Sequence, residues 1–152
     1  MSVIQGYIAE GERLAQRPVG TVGVVMGAVS VVDEDREAAR QIARRAVALY
    51  LPVVVPLDPT VEVDPELMQR VAAHVNHEEH EAAAALISDD LLEKFAFAGH
   101  ADDLIAHASR LFEAGAGRIE FGTPHGLPPE HGIRLLGERV IPALRRIWGD
   151  AQ

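Results

Sequence analysis

Two short apolar runs, Phe95–Gly99 and Arg118–Phe121, flank a segment of helical length, Ala101–Ala114. Strand, helix, strand in that order is a parallel βαβ unit, since parallel strands need a crossover of this length, and the crossover is expected to be right-handed. Ligands in such units gather where strands end at their carboxyl side. The run that follows the second strand, Gly122-Thr123-Pro124-His125-Gly126, is therefore the first place to look for chemistry. Two glycines let the backbone come close to a flat ligand, Thr123 offers a hydroxyl, and His125 offers a ring that titrates near neutral pH. The plainer alternative is a strand-to-helix turn in which glycine and proline only set geometry.

Upstream, Thr21–Val32 is a long β-branched run. Its continuous apolar character, without alternation, predicts a strand covered on both faces. Gly23 and Gly27 inside it suggest a bulge or a close backbone approach. Asp33 is placed to cap a helix carrying Ala39, Ile42, Ala43, Ala46, Val47 and Tyr50 on one stripe, ended by Pro52 and Pro56. Asp64-Pro65 starts another helix, with Leu67, Met68, Val71, Ala72 and Val75 inward. Ser88 caps a short helix before Phe95, and Pro128-Pro129 opens a last one with Ile133, Leu136, Val140, Leu144 and Ile147 inward. Ile4–Gln16 reads as the tail of a helix.

The Phe95–Gly99 run, Leu-Phe-Glu-Ala-Gly at Leu111–Gly115, Arg-Ile-Glu-Phe-Gly-Thr-Pro-His-Gly at Arg118–Gly126 and Gly-Ile-Arg-Leu-Leu-Gly-Glu-Arg-Val-Ile-Pro at Gly132–Pro142 resemble the luciferase-like monooxygenase superfamily. Within it they are most similar to the coenzyme F420-dependent methylenetetrahydromethanopterin reductases. The resemblance extends upstream through Val22–Leu51 and matches the C-terminal half of that family's pattern. It implies an α/β fold, a partial (β/α)8 TIM barrel with about three parallel strands and covering helices. These would be strands six to eight, residues 1–152 forming one half-barrel with an irregular helical insertion near 52–88, the chain starting inside the helix before strand six. It further implies an oxidoreductase of one-carbon metabolism that moves a hydride between a deazaflavin and a small-molecule substrate. Coenzyme F420 is the expected cofactor, FMN the alternative, and Gly122, Thr123, Pro124, His125 and Gly126 the expected cofactor-binding residues. No catalytic residue is singled out.

At 152 residues the chain is one domain's worth, whereas a closed barrel needs roughly 200–250. A partial barrel leaves open strand edges and an apolar sheet face, so a homo-oligomer or a complementing half-barrel chain is expected. Most cofactor phosphate contacts in this superfamily come from the other half of the barrel. A non-catalytic half-barrel acting as an assembly piece is the competing expectation.

The net charge of −9, with no Lys/Arg run longer than a pair, gives nucleic acid and anionic membrane surfaces nothing to hold. There is no cysteine, which removes disulfides, thiolate nucleophiles and Cys-ligated metals. The chain opens with no basic segment leading into an apolar core, and Ala48–Leu57 is too short to span a membrane, so a cytoplasmic protein is expected. No phosphate loop of glycines and no Ser elbow occurs. The cluster His74, His77, His80 and Glu81 fits neither the zincin nor the di-iron spacing, and a solvated helix face is expected. His100 is expected to start a helix with a solvated ring. Gly27 and Ser30 are weaker candidates for the opposite wall of the site.

Overall fold

The computed structural model describes residues 1–58 and 60–149. Helix α1 (Ser2–Leu14) precedes strand β1 (Val25–Val32) and helix α2 (Arg36–Val54). After a 3-10 turn come α3 (Pro65–Asn76), α4 (His80–Ala85), α5 (Asp89–Phe95) and strand β2 (Ala96–Gly99). Helix α6 (Ala101–Glu113), strand β3 (Arg118–His125) and α7 (Pro129–Leu135) follow. A π-helical turn, Leu136–Val140, joins α7 to α8 (Ile141–Trp148). Among the described residues no helix is long and apolar enough to cross a membrane.

The three strands are parallel, in the order β2-β1-β3. The expected parallel βαβ unit is present as β2, α6 and β3, with a third strand set into it. Its two strands are not neighbours; β1 lies between them, Ser30 opposite Phe97 on one edge and Ala28 opposite Phe121 on the other. The cause is β1 itself, whose long apolar run takes the central position with partners on both edges.

From β1 the chain moves to one side and then back across the sheet. Crossovers of one hand taken in opposite directions put their helices on opposite faces. Val29, Val31, Ala96 and Ala98 accordingly face α2 to α5, where Ala43, Val47, Leu51, Val71 and Leu92 are buried. Ala28, Val32, Phe97, Ile119 and Phe121 face α6 to α8, against Leu104, Ala108, Leu136, Val140 and Leu144. The expectation of a bare apolar sheet face is thereby overturned: each face carries its own apolar cluster. The outer edges of β2 and β3 have no strand partner among the described residues.

Local signals held where a cap was readable. Asp64 accepts from Glu66 N at 2.9 Å, and Ser88 Oγ accepts from Leu91 N at 3.2 Å. The cap of α2 is Asp35, accepting from Ala38 N, not Asp33, which instead accepts from Asp35 N. Pro52 does not end α2; the helix runs two residues further, Leu51 being buried and Tyr50 exposed. Strand β1 begins only at Val25, because the carboxylate of Glu12 holds the preceding turn by accepting from Gly20 N, Thr21 Oγ1 and Val22 N at 2.7–2.9 Å. In the last helical segment Ile133 and Ile147 are exposed, and Leu135 is buried in their stead.

Candidate functional site

Gly122–His125 is not a loop after β3 but the end of the strand itself. Val29 pairs with Gly122 and Val31 with His125, so Thr123 and Pro124 stand against Ser30 alone. That extra residue is a bulge, and it falls where Pro124 has no N–H to offer the ladder. The Thr123–Pro124 bond is cis. His125 has φ +77°, a region costly for a residue with a side chain, and its ring donates from Nε2 to the carbonyl of Phe121 at 3.2 Å.

The glycines of this run are spoken for by the protein's own backbone. A Cβ on Gly122 would lie 2.8 Å from the Ala28 carbonyl oxygen, and one on Gly126 would lie 2.7 Å from Gly132 N. Close approach is what they provide, as the sequence suggested, but the approaching partners are β1 and the start of α7. Gly27 differs: a Cβ there meets Glu120 Cβ at an ordinary 3.6 Å. Ser30 is fully buried, its hydroxyl donating to Ala28 O at 3.2 Å.

Gly122, Thr123 and Gly27 line one cavity of about 620 Å³ beside the first halves of β1 and β2. Met26, Val29, Tyr50, Leu51, Val54, Phe95 and Leu111 make its wall mostly apolar. His107 also lines it, its ring 4.8 Å from that of Phe97, and burial pushes its pKa down. A flat, largely apolar ring system fits such a lining. A phosphate tail does not, since among the described residues Lys94 is the only Lys or Arg on it and Asp58 and Glu93 stand nearby. The expected five-residue site is thus divided: Gly122 and Thr123 face the cavity, whereas Pro124, His125 and Gly126 do not line it.

The carboxyl ends of the strands carry a different cleft, of about 520 Å³, bordered by Asp33, Glu34, His100, Ile105, Arg139 and Arg146. The ring of His100 is not simply solvated there. It donates from Nε2 to the Glu34 carbonyl at 3.0 Å, while its backbone N–H donates to Asp103 Oδ2 at 2.9 Å and starts α6. His131 Nε2 lies 2.6 Å from Glu34 Oε2, and this hydrogen bond holds the Glu34 carboxyl below the usual range. Asp33, Glu34 and His131 bring one ligand-type atom each to within 4.8 Å of one another. Sequence reasoning missed this group, because 97 residues separate Glu34 from His131 and no spacing rule reaches that far.

The His74–Glu81 cluster does not lie on one helix face. α3 ends at Asn76, Glu78 has φ +59°, and α4 starts at His80. His74 Nδ1 lies 2.6 Å from Glu79 Oε2, and His77 Nδ1 donates to Ala73 O at 2.7 Å.

No family model matches the chain. Two curated relatives are 5,10-methylenetetrahydromethanopterin reductases. That of Methanopyrus kandleri is 28% identical over 138 residues, 89% of this chain and 39% of the relative. That of Archaeoglobus fulgidus is 30% identical over 122 residues, 75% of this chain and 36% of the relative. Among solved structures, the coenzyme F420-dependent tetrahydromethanopterin reductase from Methanopyrus kandleri matches with a TM-score of 0.78 at 24% identity, covering 93% of this chain and 41% of that one. The chain spans about two fifths of the length of the relatives it matches. The expected fold class, an open parallel α/β sheet of about three strands with covering helices, is the one observed, and the structural match ties it to the reductase fold. Along most of its length, then, this chain is similar in sequence and in fold to a part of the methylenetetrahydromethanopterin reductases.

Proposed function

We propose that this chain, as one half-barrel domain over residues 1–152, supplies part of a coenzyme F420-dependent oxidoreductase. The reaction would be hydride transfer between the deazaflavin and a small one-carbon-carrying substrate, in the manner of 5,10-methylenetetrahydromethanopterin reductase. One observation carries the reading: the similarity runs through 89% of the chain yet engages only 39% of the relative. The cofactor supplies the hydride chemistry; the protein's share is to hold two flat molecules face to face and keep water out.

In this chain the ring-sized wall is the cavity lined by Gly27, Gly122, Thr123 and Tyr50. Thr123 is exposed, and its hydroxyl is available to a polar ring edge. His107, held neutral by burial, adds a flat uncharged surface beside Phe97. The tail of the cofactor needs more positive charge than Lys94 brings to this wall, so the remaining walls come from further polypeptide. FMN could occupy the same wall, and the titration below compares the two.

The competing reading, a non-catalytic assembly piece, draws on Gly122 and Gly126, whose close contacts are made with the protein's own backbone. Fluorescence titration distinguishes the readings. The isolated chain is expected to bind coenzyme F420 weakly, and a chimera joining it to the unmatched part of the Methanopyrus kandleri reductase is expected to bind it tightly and in preference to FMN. A folded chimera that binds neither would leave the assembly reading standing.

A further inference from the structure

The outer edge of β3 is open, and its charges form a palindrome. Arg118 N–H donates to Val24 O at 3.3 Å, toward β1, so by strand alternation the N–H and C=O of Ile119 and Phe121 point away from the sheet. Two lines agree on that direction, because the Phe121 carbonyl receives the ring of His125 instead of a β1 amide. On either side of Ile119 stand Arg118 and Glu120, both exposed and ion-paired with each other. Along the same edge runs a groove of about 550 Å³ in which Phe112, Ile119, Phe121, Leu144 and Trp148 stand beside the Arg118 and Arg145 side chains.

We propose that this edge pairs antiparallel with β3 of a second copy of the chain, on a two-fold axis through Ile119. Ile119 and the partner's Ile119 then exchange both main-chain hydrogen bonds, since both point outward. The next positions fall directly opposite as Arg118 with the partner's Glu120 and Glu120 with the partner's Arg118. These are non-hydrogen-bonded positions, where side chains come closest and opposite charges help most. A two-fold interface requires a self-complementary surface, and a palindrome of charge centred on an outward residue is one.

The axis also brings the two grooves together on one face, covering Ile141 and Trp148, now 36% and 39% exposed. A six-stranded sheet results, with its unpaired β3 edge removed. In the same register the partner's Gly115 turn falls opposite Thr123, on the rim of the 620 Å³ cavity. The proposal stands apart from the cofactor reading, and its test uses no cofactor.

The full chain is analysed by sedimentation equilibrium across nanomolar to micromolar concentrations. A dimer of about 33 kDa, twice 16.4 kDa, is expected. Arg118→Glu and Glu120→Arg each place like charges opposite one another and should weaken the dimer at least about tenfold. An equimolar mixture of the two variants should restore it, because each heterodimer again pairs unlike charges at both positions. Circular dichroism confirms that both variants, changed at exposed positions, stay folded. A monomeric wild-type chain, a dimer indifferent to both substitutions, or a mixture no tighter than its components would each overturn the proposal.

Discussion

Gly122 and Ala28 meet backbone to backbone: a Cβ on Gly122 would lie 2.8 Å from the Ala28 carbonyl oxygen and 3.4 Å from its carbon. Nothing flexible stands in the way that could swing aside. Gly122→Val must therefore push β3 off β1, and the expected cost is about 3 kcal/mol, the upper range for forced overpacking. Thr123→Ala, at an exposed neighbour, should stay within about 0.5 kcal/mol. Urea denaturation of the two variants against wild type reads both values. Equal midpoints for Gly122→Val and wild type would show that the strands separate freely here.

That contrast shows what a sequence of this kind can and cannot display. Glycine announces that something comes close, but not whether the visitor is a ligand or the protein's own main chain; for Gly122 it is β1, for Gly126 it is α7. Helix starts were legible because a cap is a relation among four adjacent residues, as at Ser88 and Asp64. Strand order was not, because β1's pairing with both β2 and β3 joins residues far apart in the chain, such as Val29 with Ala96, 67 positions on, and Val25 with Arg118, 93 positions on. The same distance hid the Glu34–His131 contact. The buried role of Glu12 was also invisible: on a helical wheel it is one more acidic residue of α1, and only its three bonds to the turn after the helix reveal it.

Glu12 leads to a prediction in acid. Its carboxyl is held below the usual range, chiefly by the Gly20 N–H, with Val22 N–H and the Thr21 hydroxyl adding to the effect. A depressed acid stabilises the folded state above its unfolded pKa and loses that contribution as pH falls through the folded one. The turn at 18–22 should accordingly open before the sheet as the solution is acidified below about pH 4.5, the ordinary glutamate value. Glu12→Gln, which keeps the shape but loses the charge, should open it at neutral pH. Hydrogen exchange at the Gly20 and Val22 amides reports this, and unchanged protection in Glu12→Gln at pH 7 would remove Glu12 as the clamp.

His107 shifts in a direction with its own signature. Burial lowers its pKa below 6.5, with Arg110 adding to the effect, so the unfolded chain takes up this proton at a higher pH than the folded one. Folding stability must then decline as pH falls from about 6.5 toward the lower folded value, and level off beneath it. His107→Phe keeps a flat ring against Phe97 and should abolish this part of the slope while the Glu12 part remains. Thermal melting points between pH 3 and 7.5 distinguish the two. A slope that persists undiminished in His107→Phe would assign it to another group.

The His74–Glu81 region should bind no functional metal. A single helix face would have offered several rings together, but the break at residues 77–79 separates them, and the His74 and His77 rings are already engaged by Glu79 and the Ala73 carbonyl. His77→Ala with His80→Ala should change stability by no more than about 0.5 kcal/mol, as is usual at exposed positions. Metal analysis of the purified protein should find no stoichiometric zinc or iron lost in this double variant; finding one would reinstate the site.

Gly27 gives the sharpest test of the cofactor wall, because it separates binding from folding. It faces the same cavity as Gly122, yet a Cβ there meets nothing closer than Glu120 Cβ at 3.6 Å. A β-branched residue suits the strand position itself. Gly27→Val should thus leave the denaturation midpoint nearly unchanged while projecting two methyl groups into the space where a flat ring would lie. In the chimera that restores the unmatched part of the reductase, this variant should lose about 1–3 kcal/mol of coenzyme F420 affinity through overpacking, or roughly five- to 150-fold in Kd. Thr123→Ala should cost less, about 0.5–1.5 kcal/mol for one hydrogen bond. Gly122→Val is the misleading control, since it lowers binding by loosening the sheet. If Gly27→Val folds normally and binds the cofactor as tightly as the parent chimera, the ring does not lie against β1, and the cavity beside Gly122 is not the cofactor's wall.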